Sequence, residues 1–454
     1  GGFSSGVKDI NNLSDWRIDG IKFKSILKVP TVVNKLNDAV SGISLNSIFK
    51  YSIDNKDGFF DDTEVRNYAN TFTVLKKATI NNPTLDDFKI IRRGVVESTK
   101  ISFDDFTVKA ADYTRYLTNE VCNFFTLEDY PNAPNSTLNK KIPIGYNTLY
   151  NVQLFEVDRD QNDPVEWIDY VAIEPNWVDS VTKVYDSNGN ELSFTVTDGI
   201  IRVPWTEVEP TVFEMIEAVG SDLEGKQNYS IGDIVTELIN DNSFFKYIDV
   251  NWDLTETNSY RTNSADIGFY FSGGQLKTAV DAALKNDVAF LIVKNNGLLT
   301  IRQWAEDYTT HTLKSWTITQ KPIKDFEFSS KYYISISSVK YNKDQQRNNF
   351  SGVYNNESQR LNIFDTFRKD RIGEYETEIL TESDAEDFSD LLLTRFGGLK
   401  EELTVSIGED TSEINLLDKV TLEVTINGRK FSNFTNWIVK EVNPAQDTLV
   451  LEQE

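Results

Sequence analysis

Residues 88–96 read F-K-I-I-R-R-G-V-V, and residues 106–112 read F-T-V-K-A-A-D. The first stretch is an apolar run broken by two arginines and a glycine at positions 92–94, and the second alternates apolar and polar residues before it ends at Asp112. Both patterns predict β-strands, because successive side chains of a strand point to opposite faces of its sheet. Upstream, residues 53–58 read I-D-N-K-D-G, where the Asp-Gly dipeptide predicts a turn. The N-terminal part of the chain is therefore expected to be a small β-domain.

Hairpin signals recur along the rest of the chain as Asn-Gly or Asp-Gly dipeptides between alternating runs. A three-stranded meander is expected in the first of these regions, a two-stranded hairpin in the second and a further set of paired strands near the C-terminus. The expected strands are 181–186, 191–197 and 200–203, then 288–294 and 298–302, then 419–426, 437–442 and 448–452.

Three segments carry apolar residues at the spacing of one helix face. The expected helices are 231–239, capped by Ser230, 275–285, and a segment that starts after Thr381 and ends at Gly397-Gly398. Thr381 and Asp384 resemble a capping box, and the glycine pair is a typical helix end. We interpret all three apolar faces as core packing.

A length of 454 residues, 39% of them hydrophobic, predicts two to four domains with real cores. The fold class is expected to be mainly β with α+β parts, built from several small β-barrel or sandwich domains with a few short helices. Residues 128–141 are interpreted as a linker or long loop and residues 342–358 as a mobile loop. The expected division is 1–127 (an N-terminal β-barrel-like domain), 128–225 (a linker and β-meander domain), 226–320 (an α+β domain) and 321–454 (a C-terminal β-barrel-like domain).

The chain carries 46 basic and 71 acidic residues, a formal net charge of −25. Such a surface repels phosphates of nucleic acids and anionic membranes. Contact with DNA is therefore expected to be passive, as at the wall of a conduit, although the charge is equally explained by solubility alone. The longest strongly apolar run, residues 289–293, is far too short to span a membrane, so no membrane partner is expected.

Cys122 and His311 are the only residues of their types. A single cysteine excludes an intrachain disulfide and thiolate metal clusters, and a single histidine excludes sites that need several. We interpret Cys122 as a small buried side chain and His311 as a structural residue of a loop or exposed strand. No catalytic, cofactor-binding or metal-binding residue is predicted, and no cofactor.

Other candidate sites fail on their residue types or spacing. Residues 53–64 match a calcium loop at several positions, but the first ligand position is Ile53, so a hairpin is the better interpretation. Gly273-Gly274 precedes a helix but lacks the Lys-Ser/Thr of a nucleotide loop. Close acid pairs arise by composition in so acidic a chain, and the candidates are Asp61-Asp62, Asp86-Asp87, Asp104-Asp105 and Glu401-Glu402. Glycoside hydrolysis by such a pair stays an open alternative.

The order of these elements resembles that of phage tail hub and baseplate proteins, in which an "R-G-x-V" strand precedes a "T-V-x-A-x-D" strand. Four further stretches carry the likeness, and they are residues 140–147 (K-K-I-P-I-G-Y-N), 296–302 (N-G-L-L-T-I-R), 417–422 (L-D-K-V-T-L) and 437–442 (W-I-V-K-E-V). The chain departs from the family pattern at Asn147 and Leu417, where glycine is usual. Asparagine is compatible with the same tight turn, because it tolerates positive φ.

The resemblance implies a structural role without catalysis. Proteins of this kind form a homotrimeric ring at the distal end of the tail, built from two barrel-like domains per subunit, between the tail tube or distal tail protein and a spike or fibre protein. DNA passes through the lumen without specific binding. The implied location is the virion tail, after assembly in the bacterial host cytoplasm. An alternative is a carbohydrate- or receptor-binding tail protein that uses surface tryptophans, such as Trp167, Trp177, Trp205, Trp252, Trp304 and Trp316.

Overall fold

The structure is a computed structural model. It describes residues 16–18, 21–23, 30, 32–36, 40–44, 49–55, 72–78, 84–112, 114, 117–162, 165–204, 217–241, 252–304, 306–313, 323–331, 334–361, 369–397, 400–407, 410–426 and 429–454. Strands far outnumber helices among these residues, so the protein is mainly β with few helices. The alternating runs and turn dipeptides predicted this class.

The bounds of the elements are as follows. The strands are β1 (Trp16–Ile18), β2 (Ile21–Phe23), β3 (Asn34–Lys35), β4 (Gly42–Ile43), β5 (Phe49–Asp54), β6 (Phe72–Lys77), β7 (Lys89–Ile101), β8 (Asp105–Ala111), β9 (Ile144–Gly145), β10 (Thr148–Gln153), β11 (Phe155–Arg159), β12 (Trp167–Val171), β13 (Ser180–Asp186), β14 (Thr195–Thr197), β15 (Ile200–Pro204), β16 (Ala218–Glu224), β17 (Tyr270–Phe271), β18 (Ala289–Val293), β19 (Leu299–Gln303), β20 (Thr310–Leu313), β21 (Ile323–Lys331), β22 (Ile336–Asp344), β23 (Asn349–Asn356), β24 (Ile372–Glu376), β25 (Lys400–Ile407), β26 (Lys419–Ile426), β27 (Arg429–Asn443) and β28 (Thr448–Gln453). The α-helices are α1 (Ile231–Asp241), α2 (Leu254–Asn263), α3 (Leu276–Leu284) and α4 (Glu382–Phe396).

Strands β5 to β8 form a four-stranded antiparallel sheet in the order β5-β8-β7-β6, which we call the N-terminal sheet. The two strands predicted from residues 88–96 and 106–112 are confirmed as β7 and β8, and they lie at its centre. At Gly94 a Cβ atom would lie 2.7 Å from the Phe49 ring and closer still to the Ala111 carbonyl oxygen, so only glycine fits there. The predicted turn at residues 57 and 58 lies outside the described residues.

The largest hydrophobic core gathers helices α1 and α3 and the hairpin β18–β19. All five residues of β18 are buried, because the strand lies between β19 and β4 beneath the helices. The hairpin turns at Gly297, whose φ is +88°, as the Asn-Gly dipeptide predicts.

The three predicted helices are confirmed as α1, α3 and α4. Ser230 Oγ accepts the Asp233 amide at 3.2 Å, and Thr381 Oγ1 accepts the Asp384 amide at 3.2 Å. These are the N-terminal caps that the sequence indicates.

The C-terminal strands form a seven-stranded sheet in the order β20-β26-β27-β28-β25-β21, to which β3 is added by pairing with β27. The predicted strands 419–426, 437–442 and 448–452 are confirmed within β26, β27 and β28. The turn expected at residues 427 and 428 lies outside the described residues.

The predicted meander is wrong. β14 and β15 form a hairpin around Asp198-Gly199, but β13 pairs with β16 in a different sheet. In the turn after β13, the backbone and side-chain amides of Asn190 donate to the Asp186 carboxylate. The residues that follow the turn pair with β13 only through the single bridge between Tyr185 and Glu191. Alternation and turn residues are visible in sequence, whereas the pairing partner of a strand is not.

The segment 342–358, expected to be a mobile loop, contains the end of β22 and all of β23, which form an antiparallel hairpin. Its polarity arises because the side chains of β23 alternate between exposed and half-buried. The segment 128–141 is a long loop, as expected, and its Tyr130 ring packs on Phe125 at 5.3 Å.

Helix α2 was not predicted, because it has no apolar stripe. Its buried residues are Thr257 and Tyr260 alone, and Asp253 caps it by accepting the Glu256 amide at 3.3 Å. Polar contacts hold this helix in place, and their partners lie far along the chain.

The four-domain division and the barrel or sandwich form of each domain stay predictions. The sheets draw strands from more than one of the expected domains, since β22 joins β10 and β3 joins β27. Among the described residues, no helix has both the length and the apolar content needed to cross a bilayer.

Candidate functional site

A chain of buried polar contacts runs from the N-terminal sheet to the C-terminal part of the protein. The Arg92 guanidinium donates to the Asp112 carboxylate at 2.5 Å and to the Asn34 side-chain oxygen. Asn34 Nδ2 donates in turn to Asn295 Oδ1 at 2.7 Å, and Asn295 Nδ2 donates to the Ile414 carbonyl at 2.7 Å. We call Asp112, Arg92, Asn34, Asn295 and the Ile414 carbonyl the polar relay.

The polar relay is sealed from solvent. The Arg92 and Asp112 side chains are 1% and 2% exposed. Burial lowers the pKa of Arg92, and the adjacent Asp112 opposes that shift. Because an isolated buried charge is very costly, each member depends on the others. The relay therefore couples the N-terminal sheet, the turn of the hairpin β18–β19 and the loop before β26.

A second group, which we call the charge cluster, comprises the buried Arg302 and Asp418 and the half-buried Glu256, Lys294 and His311. Arg302 donates to Glu256 at 2.6 and 2.8 Å and to Asp418 at 2.8 Å. Lys294 Nζ lies 2.9 Å from Glu256, and His311 Nε2 lies 3.1 Å from Asp418. The cluster joins helix α2, the hairpin β18–β19 and strands β20 and β26.

The electrostatics of the charge cluster favour the ionised pairs. Burial by itself would raise the pKa of Glu256, but hydrogen bonds and charges from Arg302 and Lys294 lower it to about 2. The carboxylate is thus ionised at neutral pH and cannot take up a proton as a general base there.

His311 and Cys122 do not form a nucleophile and base pair. His311 lies in strand β20, and the partner of its ring is the Asp418 carboxylate, which also holds Arg302. The Cys122 thiol lies 3.6 Å from the Phe271 carbonyl, and burial raises its pKa to about 12. A thiol with that pKa is protonated at neutral pH and is a poor nucleophile.

The acid pairs that the structure describes lie in turns and strands. The Asp87 side chain closes a short turn by accepting the Thr84 amide at 2.7 Å. Asp104 lies in the turn between β7 and β8, Asp105 is the first residue of β8, and Asp61-Asp62 lies outside the described residues. Glu401 and Glu402 follow each other in β25, so their side chains point to opposite faces. In the described part of the chain no group of three acids, histidines or cysteines is placed to hold a metal ion.

The tryptophans that the structure describes are covered to different degrees. Trp304 and Trp437 are buried, and Trp167, Trp177 and Trp252 are half-buried. Cations lie over two of the half-buried rings: Arg202 is 3.8 Å from the Trp167 centroid and Lys226 is 3.7 Å from that of Trp177. Trp205 and Trp316 lie outside the described residues. These five tryptophans therefore do not form an open platform for a sugar ring.

One face of the N-terminal sheet carries an open groove of about 500 Å³ with three lysines, Lys50, Lys100 and Lys109. The rest of its lining consists of three hydroxyl-bearing residues, Ser98, Ser102 and Thr107, and one acid, Asp105. We call it the lysine groove. Sequence reasoning missed it, because the lysines come from three different strands. The available signal was the alternation of polar residues on the solvent side of β7 and β8.

The two positions at which the chain departs from the glycines of the resembled family have an unusual backbone. Asn147 has a φ of 54° and Leu417 has a φ of 68°. This left-handed region favours glycine, and only a few per cent of other residues adopt it. Asn147 also donates to the carbonyls of Tyr229 at 2.7 Å and Ile267 at 2.9 Å.

No family model matches the sequence, and no curated protein matches it. Among solved structures, the tail protein from Neisseria meningitidis MC58 is 9% identical, with a TM-score of 0.44 over 96% of this chain and 95% of that chain. The 43 kDa tail protein of prophage MuSo2 from Shewanella oneidensis is 9% identical, with a TM-score of 0.37 over 96% of both chains. A chain of the native gene transfer agent virion is 9% identical, with a TM-score of 0.46 over 71% of this chain and 85% of that chain. At these values the alignments do not establish a shared fold.

Proposed function

We propose that this chain is a structural protein of a phage or prophage tail. In this proposal it forms the ring-shaped hub of the tail tip or baseplate, joins the tail tube to a distal spike or fibre, and leaves a passage for DNA. It resides in the virion tail after assembly in the bacterial host cytoplasm, and it has no catalytic role.

The observation that carries the proposal is the backbone at Asn147 and Leu417. The resemblance expects glycine at both positions, and both have the positive φ that glycine normally supplies. Positive φ at a non-glycine residue is uncommon, so its presence at both departures supports the likeness at the level of backbone geometry.

The buried contacts support the same proposal. Two buried ion pairs join charged residues of the family-like stretches, Arg92 with Asp112 and Arg302 with Asp418. Residues that serve catalysis need access to a substrate, whereas these side chains are at most 2% exposed. Their role in the proposal is to hold the parts of a rigid ring subunit together.

The proposed assembly is a homotrimer around a lumen. A net charge of −25 lets a nucleic acid pass without adhering if acids line that lumen. The competing function, a carbohydrate- or receptor-binding tail protein that uses surface tryptophans, needs those rings to be exposed, and the tryptophans Trp167, Trp177, Trp252, Trp304 and Trp437 are all buried or half-buried.

Two measurements test the proposal together. Sedimentation equilibrium over a wide range of protein concentration, with negative-stain images of the heaviest species, is expected to give a trimer with a central hole. Immunogold labelling of particles with an antibody to this chain is expected to mark the distal tail tip. Label elsewhere on the particle, or none, would contradict the tail-tip role. Saturable quenching of tryptophan fluorescence by host polysaccharide would favour the binding protein.

A further inference from the structure

The lysine groove is out of keeping with the rest of this acidic chain. Lys50 of β5 lies directly opposite Lys109 of β8, and Lys100 of β7 lies opposite Thr107 of β8. Like charges directly opposite each other in a sheet destabilise it. Lys109 has one carboxylate partner, Glu97 at 3.2 Å. Among the described residues, no carboxylate lies within ion-pair distance of Lys50 or Lys100. In the described part of the chain, Glu97 is the carboxylate that pairs with a groove lysine and Asp105 is the one acid of the groove lining, so the three lysines give the described groove a net positive charge.

An apolar anchor lies beside the groove. Phe103 is 90% exposed at the tip of the hairpin β7–β8, next to the groove residue Ser102. Exposed aromatic residues are enriched at protein–protein contacts, where they supply much of the binding energy, and charged residues commonly form the rim around them. A small anion would engage the lysines but would leave the ring exposed.

The chain also carries a matching surface of opposite sign. The exposed acids of helix α4 are Glu382, Glu386, Asp387 and Asp390. Acids four residues apart on one helix repel each other, and the only basic residue of this helix, Arg395, is buried. Within the described chain, no ion pair joins this acidic helix face to the lysine groove.

We propose that the lysine groove docks onto the acidic helix face of a second copy of this chain. The two surfaces differ, so the contact is heterologous. A heterologous contact closes a ring when its rotation divides a full turn evenly, and otherwise it builds an open filament. The inference rests on the ring of the proposed function and names the surfaces that close it. Two copies repel each other through their net charge, but salt screens interactions between charges more than about 10 Å apart. The association is therefore governed by the nearby attraction between the groove lysines and the acids of helix α4. A DNA strand would have to bind a chain with a net charge of −25, so DNA is the less favoured occupant.

Charge reversal of either surface tests the contact. The groove variant is Lys50→Glu, Lys100→Glu and Lys109→Glu; the helix variant is Glu382→Lys, Glu386→Lys and Asp387→Lys. Each is expected to raise the dissociation constant of the ring at least about 100-fold, because facing like charges replace opposite ones. A chain with both changes restores the opposite charges and is expected to recover at least about tenfold.

A control matched to the groove variant makes the same change in net charge at other positions. Lys140, Lys183 and Lys277 are exposed lysines outside the groove, and their change to Glu is expected to leave assembly within about threefold of the wild type. Circular dichroism checks that every variant is folded, and sedimentation equilibrium measures assembly. Raising salt from about 0.15 M to about 1 M is expected to weaken the wild-type ring.

The outcomes separate this inference from the proposed function. A groove variant that assembles like the control overturns the inference and leaves the ring intact. Loss of assembly in the groove variant without loss in the helix variant overturns the assignment of helix α4. A wild-type chain that stays monomeric overturns the inference, and immunogold labelling of tails then decides the proposed function by itself. Binding of a DNA oligonucleotide that the groove variant loses, with assembly unchanged, would assign the groove to nucleic acid.

Discussion

Replacing Asp418 by asparagine removes the most buried carboxylate of the charge cluster. The Asp418 side chain is 1% exposed, and it accepts from Arg302 at 2.8 Å and from the Asn415 amide at 2.7 Å, with His311 Nε2 at 3.1 Å. Asparagine has nearly the same shape, but one of its two ends is an amide donor. That end must face either the Arg302 guanidinium or the Asn415 N–H, so a donor meets a donor.

The magnitude follows from what Arg302 retains. Removing one partner of a buried ion pair costs about 3–5 kcal/mol, because the other charge stays buried. Here Arg302 keeps Glu256 at 2.6 and 2.8 Å, so it is not left bare. We therefore expect Asp418→Asn to lower the free energy of unfolding by about 2–4 kcal/mol, a large share of the typical 5–15 kcal/mol of a folded protein.

Native-state hydrogen exchange of strands β19 and β26 measures this effect locally, because Arg302 lies in β19 and Asp418 directly precedes β26. Urea unfolding followed by tryptophan fluorescence provides a second measurement, since buried Trp437 pairs with Val420. Local exchange is preferred, because a chain of several sheets need not unfold in one step.

Asp307→Asn is the matched control. Asp307 also pairs with a basic residue, Lys419 at 2.6 Å, but its side chain is 85% exposed. Exposed pairs contribute about 0–1 kcal/mol, so we expect a change within about 0.5 kcal/mol. If Asp418→Asn proved no more destabilising than Asp307→Asn, the charge cluster would not hold these elements together, and the reasoning would be refuted.

Three further predictions concern single residues. The folded-state pKa of Glu256, about 2, lies below its ordinary value of 4.5, so its pairing stabilises the fold above about pH 4.5 and is lost as the pH falls toward 2. In acid unfolding, Glu256→Gln is expected to lack the contribution of about 3 kcal/mol to the free energy of unfolding that the wild type loses between about pH 4.5 and pH 2. An acid transition identical to that of the wild type would contradict this. Gly94→Ala is expected to lower the free energy of unfolding in urea by about 2–4 kcal/mol, because the added Cβ would clash with the Phe49 ring and the Ala111 carbonyl. The control Ser98→Ala, at an exposed position of the same strand, is expected to lower it by less than about 0.5 kcal/mol. Iodoacetamide at pH 8 is expected to alkylate Cys122 at least about 100-fold more slowly in the folded than in the unfolded chain, since burial raises the thiol pKa to about 12; similar rates would show that the thiol is accessible.

Local sequence patterns were sufficient for the elements themselves. The strands β7 and β8, the hairpin β18–β19 and the helices α1, α3 and α4 lie where alternation, turn dipeptides and caps predicted them. Each of these signals involves residues within a few positions of each other. Helix α2 was not predicted, because its stability comes from polar contacts with residues far along the chain, such as Arg302.

The tertiary structure alone decided which elements meet. Asn34 reaches Arg92 across 58 positions and Asn295 across 261 positions, and the lysine groove takes its charges from three separate strands. A sequence pattern determines which face of an element is apolar, because that depends only on the period of the side chains. The partner of that face, and of every buried charge, is chosen by packing and hydrogen bonding summed over the whole chain, which no local pattern contains.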